Sequence, residues 1–388
     1  MAHFRSLTLP SFALAALSLA ACTAPGGGTG DDDDTPDAPT GCQGLELLGC
    51  GEHGEDSVIV ELIADSGDGV NTPRDLAFHP DVPGQLWIVA EDHSLVVLDD
   101  AGTADQQATT LGNLGPSTVH FYAVPSGIAF SADNGNWASS HETDELTQGA
   151  PPFGTPEDFM GPTLWTGDLS LYDTAPAHGQ HLDMLHNSPN GMGIAWEQEN
   201  TFWYFDGYHS AITRYAFNND HGLGGADHSD GETARYAEGD VSRKSGTPSH
   251  LEFVHETDEL YIADTGNDRI AVLDCTSGTR GSGVQPNYDG VDQYRMDDAS
   301  ITTLATGDDA GFNNPSGIAV RGDFVYVTDN RNGNILALSR TDGSLVDWLE
   351  LDVPADSLMG IEFDADGNLY VVNYEEDQVL RISPKPAE

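Results

Sequence analysis

Lysine is nearly missing from this chain. Its 388 residues include only Lys244 and Lys385, and 14 basic side chains stand against 64 acidic ones for a formal charge of -50. Nucleic acid is thereby excluded as a partner, because phosphate binding depends on basic side chains that displace counterions. Cysteine is scarce too, with four in all, and Cys275 lacks an evident neighbouring base, which argues against thiol catalysis. There is no G-x-S-x-G elbow, no phosphate-cradling P-loop, no dinucleotide fingerprint and no HExxH pair. The apolar run from Phe12 to Leu19 is too short to span a bilayer.

What is present begins with that run. Arg5, the apolar stretch and the tetrapeptide LAAC ending at Cys22 read as an export signal over residues 1–21. LAAC resembles a bacterial lipobox, which implies acylation of Cys22 and a protein exported and lipid-anchored in the bacterial envelope, at the outer membrane or cell surface. Residues 22–56 are rich in Gly, Pro and Asp without apolar periodicity, the composition of a solvated tether. Such a tether places the folded part on the order of 30 Å from the membrane. Cys42 and Cys50 bracket a short loop that an oxidising compartment permits to close as a disulfide, with Cys275 left as a buried free thiol. The acidic excess reads as a salt-adapted surface, the alternative being a calcium-binding one.

From residue 57 onward the chain repeats itself. Each unit offers an opening phrase leading into an apolar strand, a second strand ending in Asp or a similar residue, and a third apolar strand. SHLEFVH, ELYIADTGND and RIAVLD make the clearest set, and SGIAVRG, FVYVTDNRNG and NILALSR the next. In the second unit the third strand is expected at DLSLYD, residues 168–173. The anchors Leu76, Ile128, Ile194, Leu251, Ile318 and Ile361 mark six units, the last two 43 residues apart, close to the roughly 40–50 residues of a four-stranded propeller blade. The expected fold is therefore all-β, a six-bladed β-propeller over residues 57–388. SVIVELIAD, residues 57–65, would close the ring by supplying the outer strand of the last blade. The alternative is a seventh, degenerate blade within 141–165 or 276–300.

The phrases PSGIAV, LYIADTGNDRIAVLD and VYVTDNRNGNILAL resemble NHL-type propeller repeats, a likeness running over residues 57–385. The propeller domain that cleaves peptidyl-hydroxyglycine is distantly similar in repeat pattern, and it holds zinc with histidines that directly follow the opening proline. Here Arg74, Ser126, Ser249 and Ser316 occupy that place and His250 comes one residue later, a departure from that lyase.

Propeller topology sorts side chains by face. Loops before the first strand of each blade, and between its second and third strands, share one face, called the top. His250 begins a first strand where sister repeats carry glycine, so it should enter the central channel there, while glycine leaves the channel open. His209 and His141 lie in second-to-third-strand turns, and His186 should arrive close by. Together these four are candidate ligands for Zn²⁺ or another transition metal. Arg74, Asp75 and Asp206 join His250 as candidate ligand-binding groups, and Arg74, Asp75 and His250 are the catalytic candidates if the protein is an enzyme. Asp220, Asp227 and Asp230 sit on a Gly-rich loop whose oxygen donors suit Ca²⁺, with His178 and His181 as further candidates. The expected function is a membrane-anchored propeller whose channel face binds a small polar molecule, a glycan or a protein. The alternative is a metal-dependent lyase or hydrolase at Arg74, Asp75, His209 and His250.

Overall fold

The computed structural model describes residues 42–112, 121–144, 160–174, 181–225 and 227–386. Residues 1–41, on which the expected export signal, Cys22 and most of the expected tether fall, lie outside that description, as does His178. Among the described residues no helix is long and apolar enough to cross a membrane.

The alternating apolar strands form six sheets. Blade one runs through Pro73–Phe78, Leu86–Ala90, Ser94–Asp99 and Gln107–Gly112, every neighbouring pair antiparallel. Blades two to five begin at Pro125–Phe130, Gly191–Gln198, Leu251–Val254 and Pro315–Arg321. Blade six takes Leu358–Phe363, Leu369–Asn373 and Gln378–Ser383 from the end of the chain and its outer strand, Ile59–Ala64, from near the start. The N-terminal strand thus closes the ring as the repeat pattern requires.

A strand of this kind has an apolar side chain on both faces and must bury both, so each blade packs against two others. Every interface carries its own apolar cluster. Leu76, Ile88 and Val96 of blade one meet Met359, Tyr370 and Val379 of blade six across the closure, and Trp87 and Val97 meet Ile128 and Trp137 on the other side.

Two local readings change. DLSLYD is not a strand: Leu169–Thr174 is a 3-10 helix, and the third strand of blade two is Thr163–Trp165. The helix keeps its apolar residues inward, Tyr172 packing beside Trp87 and Trp137, so the apolar pattern was right and the period was misread. Residues 276–300 supply no seventh blade. Their hairpin, Thr279–Gly283 with Asp292–Asp297, adds to the outer edge of blade three, pairing parallel to Glu232–Tyr236. Of the other stretch offered for a seventh blade, residues 145–159 are outside the description. Near the start, Cys42 and Cys50 are joined by a disulfide, and Leu48 beside them is buried against the blade five and six cluster.

Candidate functional site

The first strands bring six equivalent positions to the axis: Asp75, Gly127, Gly193, His250, Gly317 and Gly360. The glycines do not hold the channel open; they let neighbouring backbones close on one another. A Cβ on Gly193 would lie 2.2 Å from the Ser249 carbonyl oxygen, and one on Gly317 would lie 2.1 Å from that of Met359. Only Asp75 and His250, in blades one and four, carry side chains at this level, and they meet across the axis. His250 donates through Nε2 to the Ser126 carbonyl of blade two at 2.9 Å and lies 3.7 Å from Asp75 Oδ2. That carboxylate also accepts the Ile128 N–H at 2.9 Å. Because a carbonyl can only accept, His250 carries its proton on Nε2, and its buried Nδ1 has no hydrogen-bond partner. Burial holds its pKa down at about 4, with the Arg74 charge acting in the same direction, so the imidazole is neutral.

Beneath this plug lies a cavity of about 270 Å³. Asp75 and His250 form its inner end, and Glu252 and Glu362 stand in its walls with Phe78, Phe130, Trp196 and Phe253. Pro80 and His255, both exposed where first strands end, mark its mouth. The site therefore opens on the bottom face, opposite to the expectation. Residues two places beyond the six axial positions show what the sequence reading missed: Ala77, Ala129, Ala195 and Ala319 in four blades, but Glu252 and Glu362 in the others. Breaks in a small-residue repeat are the available signal: they mark Asp75 and His250 at the axial position and equally mark Glu252 and Glu362 two places on.

The carboxyls resist ionisation. Burial raises Asp75 to about 7, and burial together with the Asp75 charge raises Glu362 to about 7. Burial, then the charges of Glu362 and Asp75, pushes Glu252 well above the usual range. A carboxyl whose pKa is higher folded than unfolded contributes stability at low pH and loses it as pH rises through the folded value. For Glu362 that window runs from 4.5 to about 7. Glu362→Gln should therefore match the parent near pH 5 and exceed it at pH 8 by on the order of 1–2 kcal/mol, about 2–4 °C in Tm, since water reaches this half-buried side chain. Thermal melts at the two pH values check this, and equal differences at both would refute it.

Arg74 points away from the cavity. It is fully buried, with Nη2 2.5 Å from Glu142 Oε2, while Nε and Nη1 have no hydrogen-bond partner. Glu142 Oε1 accepts the Gly246 N–H at 2.8 Å and lies 3.4 Å from Arg243 Nη1. The expected trio is thus divided, with Asp75 and His250 in the channel and Arg74 in an ion pair above it.

The four histidines do not converge. His141 is buried between Ser139 Oγ at 2.8 Å and the Gly161 carbonyl at 3.2 Å, and desolvation lowers its pKa to about 4. His186 pairs with Asp289 at 2.6 Å, and His209 with Asp206 at 2.8 Å. Asp206 is fully buried and also accepts Ser188 Oγ at 2.6 Å, so it braces a turn and does not line the axial cavity. Asp220 and Asp227 cap their own turns through Gly222 N–H and Ser229. Among the described residues, three metal-type donors within 4.8 Å of one another occur at Asp183, His221 and Asp230, and not in the channel.

The family model for the NHL repeat matches residues 312–338, the opening loop and first strands of blade five, so the repeat likeness holds there. No curated protein matches the chain. Among solved structures, an auxiliary nutrient binding protein from Bacteroides ovatus is 12% identical over 85% of this chain and 77% of its own, with a TM-score of 0.54. Another auxiliary nutrient binding protein, from Bacteroides thetaiotaomicron, is 12% identical over 80% and 68%, with a TM-score of 0.51. A protein of unknown function from the same organism is 13% identical over 84% and 75%, with a TM-score of 0.51. At such identities the likeness is one of fold.

Proposed function

We propose that the axial cavity binds a small organic cation, such as a protonated amine, on a propeller anchored to the bacterial envelope through acylated Cys22. The observation that carries this reading is the set of Asp75, Glu252 and Glu362 around a cavity whose walls also hold Phe78, Phe130, Trp196 and Phe253. Carboxylates and aromatic faces both attract cations, and a chain of charge -50 raises the local cation concentration. The carboxyls are too dispersed to enclose a bare metal ion, whereas an organic cation spans them. The nutrient binding proteins that share the fold are in keeping with such a role. Binding is favoured over a metal-dependent lyase or hydrolase because the histidines such an enzyme needs stand apart, with His141, His186 and His209 each paired to its own carbonyl or carboxylate.

A bound cation favours the ionised carboxylates and so displaces protons. Arg74 opposes this charge from above, His250 is neutral, and His255 stands at the mouth. Calorimetry of the full chain with choline, putrescine and glucose should show binding of an amine probe with proton release. Affinity should be about tenfold or more higher at pH 8 than at pH 5, where the carboxyls hold their protons. Glu252→Gln with Glu362→Gln should abolish it. Binding of glucose alone, or amine affinity independent of pH, would overturn the reading.

A further inference from the structure

Blades two and three meet at their outer rim in a group of side chains that the axial cavity does not use. Asp183 lies in the outer strand of blade two, His181–Met184, and His221 and Asp230 lie in the loop joining Ala211–Ala216 to Glu232–Tyr236 of blade three. We propose that Asp183, His221 and Asp230 form a binding site for a divalent transition-metal ion, with zinc as the probe ion, which clamps that loop to blade two.

Each of the three offers one donor atom, and these lie within 4.8 Å of one another. Asp183 is the independent witness. Its carboxylate is fully buried, yet Oδ2 has no hydrogen-bond partner, and burying a bare carboxylate oxygen is unfavourable unless a cation or donor meets it. Its Oδ1 is already occupied, accepting His228 Nδ1 at 2.5 Å and the Met184 N–H at 2.6 Å, so Oδ2 is the atom left to ligate. His221 Nε2 and Asp230 Oδ1 lie 2.8 Å apart, with side chains 20% and 30% exposed, so an ion has a route in and water can complete its shell.

The supporting shell resembles that of metal sites generally. His228 orients Asp183, and Asn219 Nδ2 holds Asp230 Oδ2 at 2.6 Å. Two carboxylates and one imidazole balance a dication, and the nitrogen donor selects a transition metal over Ca²⁺. The same loop is already tied to the same strand, since Gly224 N–H donates to the His181 carbonyl at 2.8 Å and the Gly225 carbonyl is 3.0 Å from His181 Nε2. The ion would add a further link between two blades. Of the calcium candidates read from the sequence, Asp230 alone belongs to this set.

Equilibrium dialysis of the full chain, made without a histidine tag, should give about one zinc per chain and a Tm that rises with zinc. His221→Gln, a change at a partly exposed side chain, should weaken zinc binding by about 100-fold or more and abolish the thermal response, since even an outer-shell change costs 10–100-fold. Asp183→Asn should do the same if it folds, while Asp227→Asn should bind as the parent does. A parent chain that takes up no stoichiometric zinc, or a His221→Gln chain that binds like the parent, would overturn the site. Calcium competing equally with zinc would overturn the metal assignment.

Discussion

The Glu142→Ala chain should unfold at much lower denaturant than the parent, having lost about 3–5 kcal/mol, because removing one partner of a buried ion pair strands the other charge. Arg74 is fully buried, and among the described residues Glu142 is the carboxylate paired with it, at 2.5 Å. Two of the guanidinium nitrogens already lack partners, so nothing is in place to absorb the loss. The same substitution deprives the Gly246 N–H of its acceptor. Arg74→Met combined with Glu142→Ala should recover a large part of the deficit, since an apolar side chain of similar length has no charge to desolvate. Urea titrations of the three variants read this directly. If Glu142→Ala lies within about 0.5 kcal/mol of the parent, the range of an ordinary surface change, the pair is not the anchor described.

Gly193→Ala should be as damaging, and for a steric reason. The added methyl would meet the Ser249 carbonyl oxygen at 2.2 Å and His250 Cα at 2.8 Å. Both belong to the backbone of the next blade, which is held by Ser249 N–H on the Met192 carbonyl at 2.9 Å and His250 N–H on the Ser316 carbonyl at 3.0 Å. A side chain can rotate away from an intruding methyl, but these atoms can move only if blades three and four separate. Overpacking commonly costs about 1–3 kcal/mol and occasionally more, and because two blades must part here the loss should exceed about 3 kcal/mol. His250→Gly is the informative contrast, because it installs at an equivalent axial position the residue that four blades already carry. It should fold at a cost of about 1–3 kcal/mol, from the lost Ser126 contact and the space left behind. If the two variants were equally stable, close approach would not be the reason for glycine at these positions.

Much of the architecture was legible from the chain because it rests on local, repeated information. Alternating apolar strands, Asp- and Asn-bearing turns and a unit length near that of a blade are readable within one repeat, and six copies exposed the pattern despite long insertions. The closing strand at Ile59–Ala64 was legible for the same reason: a last unit with three strands needs a fourth. Where the pattern was weak it misled, as at Leu169–Thr174, where an apolar period fits either a short strand or a helical turn.

The site was less legible, and the cause is geometric. Repeat position put Arg74, Asp75 and His250 together around the channel, but which of them stays there, and whether a glycine beside them opens the channel or closes it, depends on how nearly two blades approach. Glu252 and Glu362 look like ordinary strand residues until the ring sets them in one lumen, and their reluctance to ionise is a property of that enclosure. The candidate metal histidines shared a face by topology, yet each found its own nearby carboxylate or carbonyl, because sharing a face leaves donors far beyond the few ångströms a metal ion spans. Asp183 and His221, 38 positions apart by their numbering, carry no common motif at all. Sequence periodicity by itself determined the propeller class, its repeating blade unit and the expectation of six blades closed by an N-terminal strand, since period and alternation are local properties. Only the tertiary structure decided which face opens, which carboxyls share a cavity and which donors meet, because those depend on distances between blades.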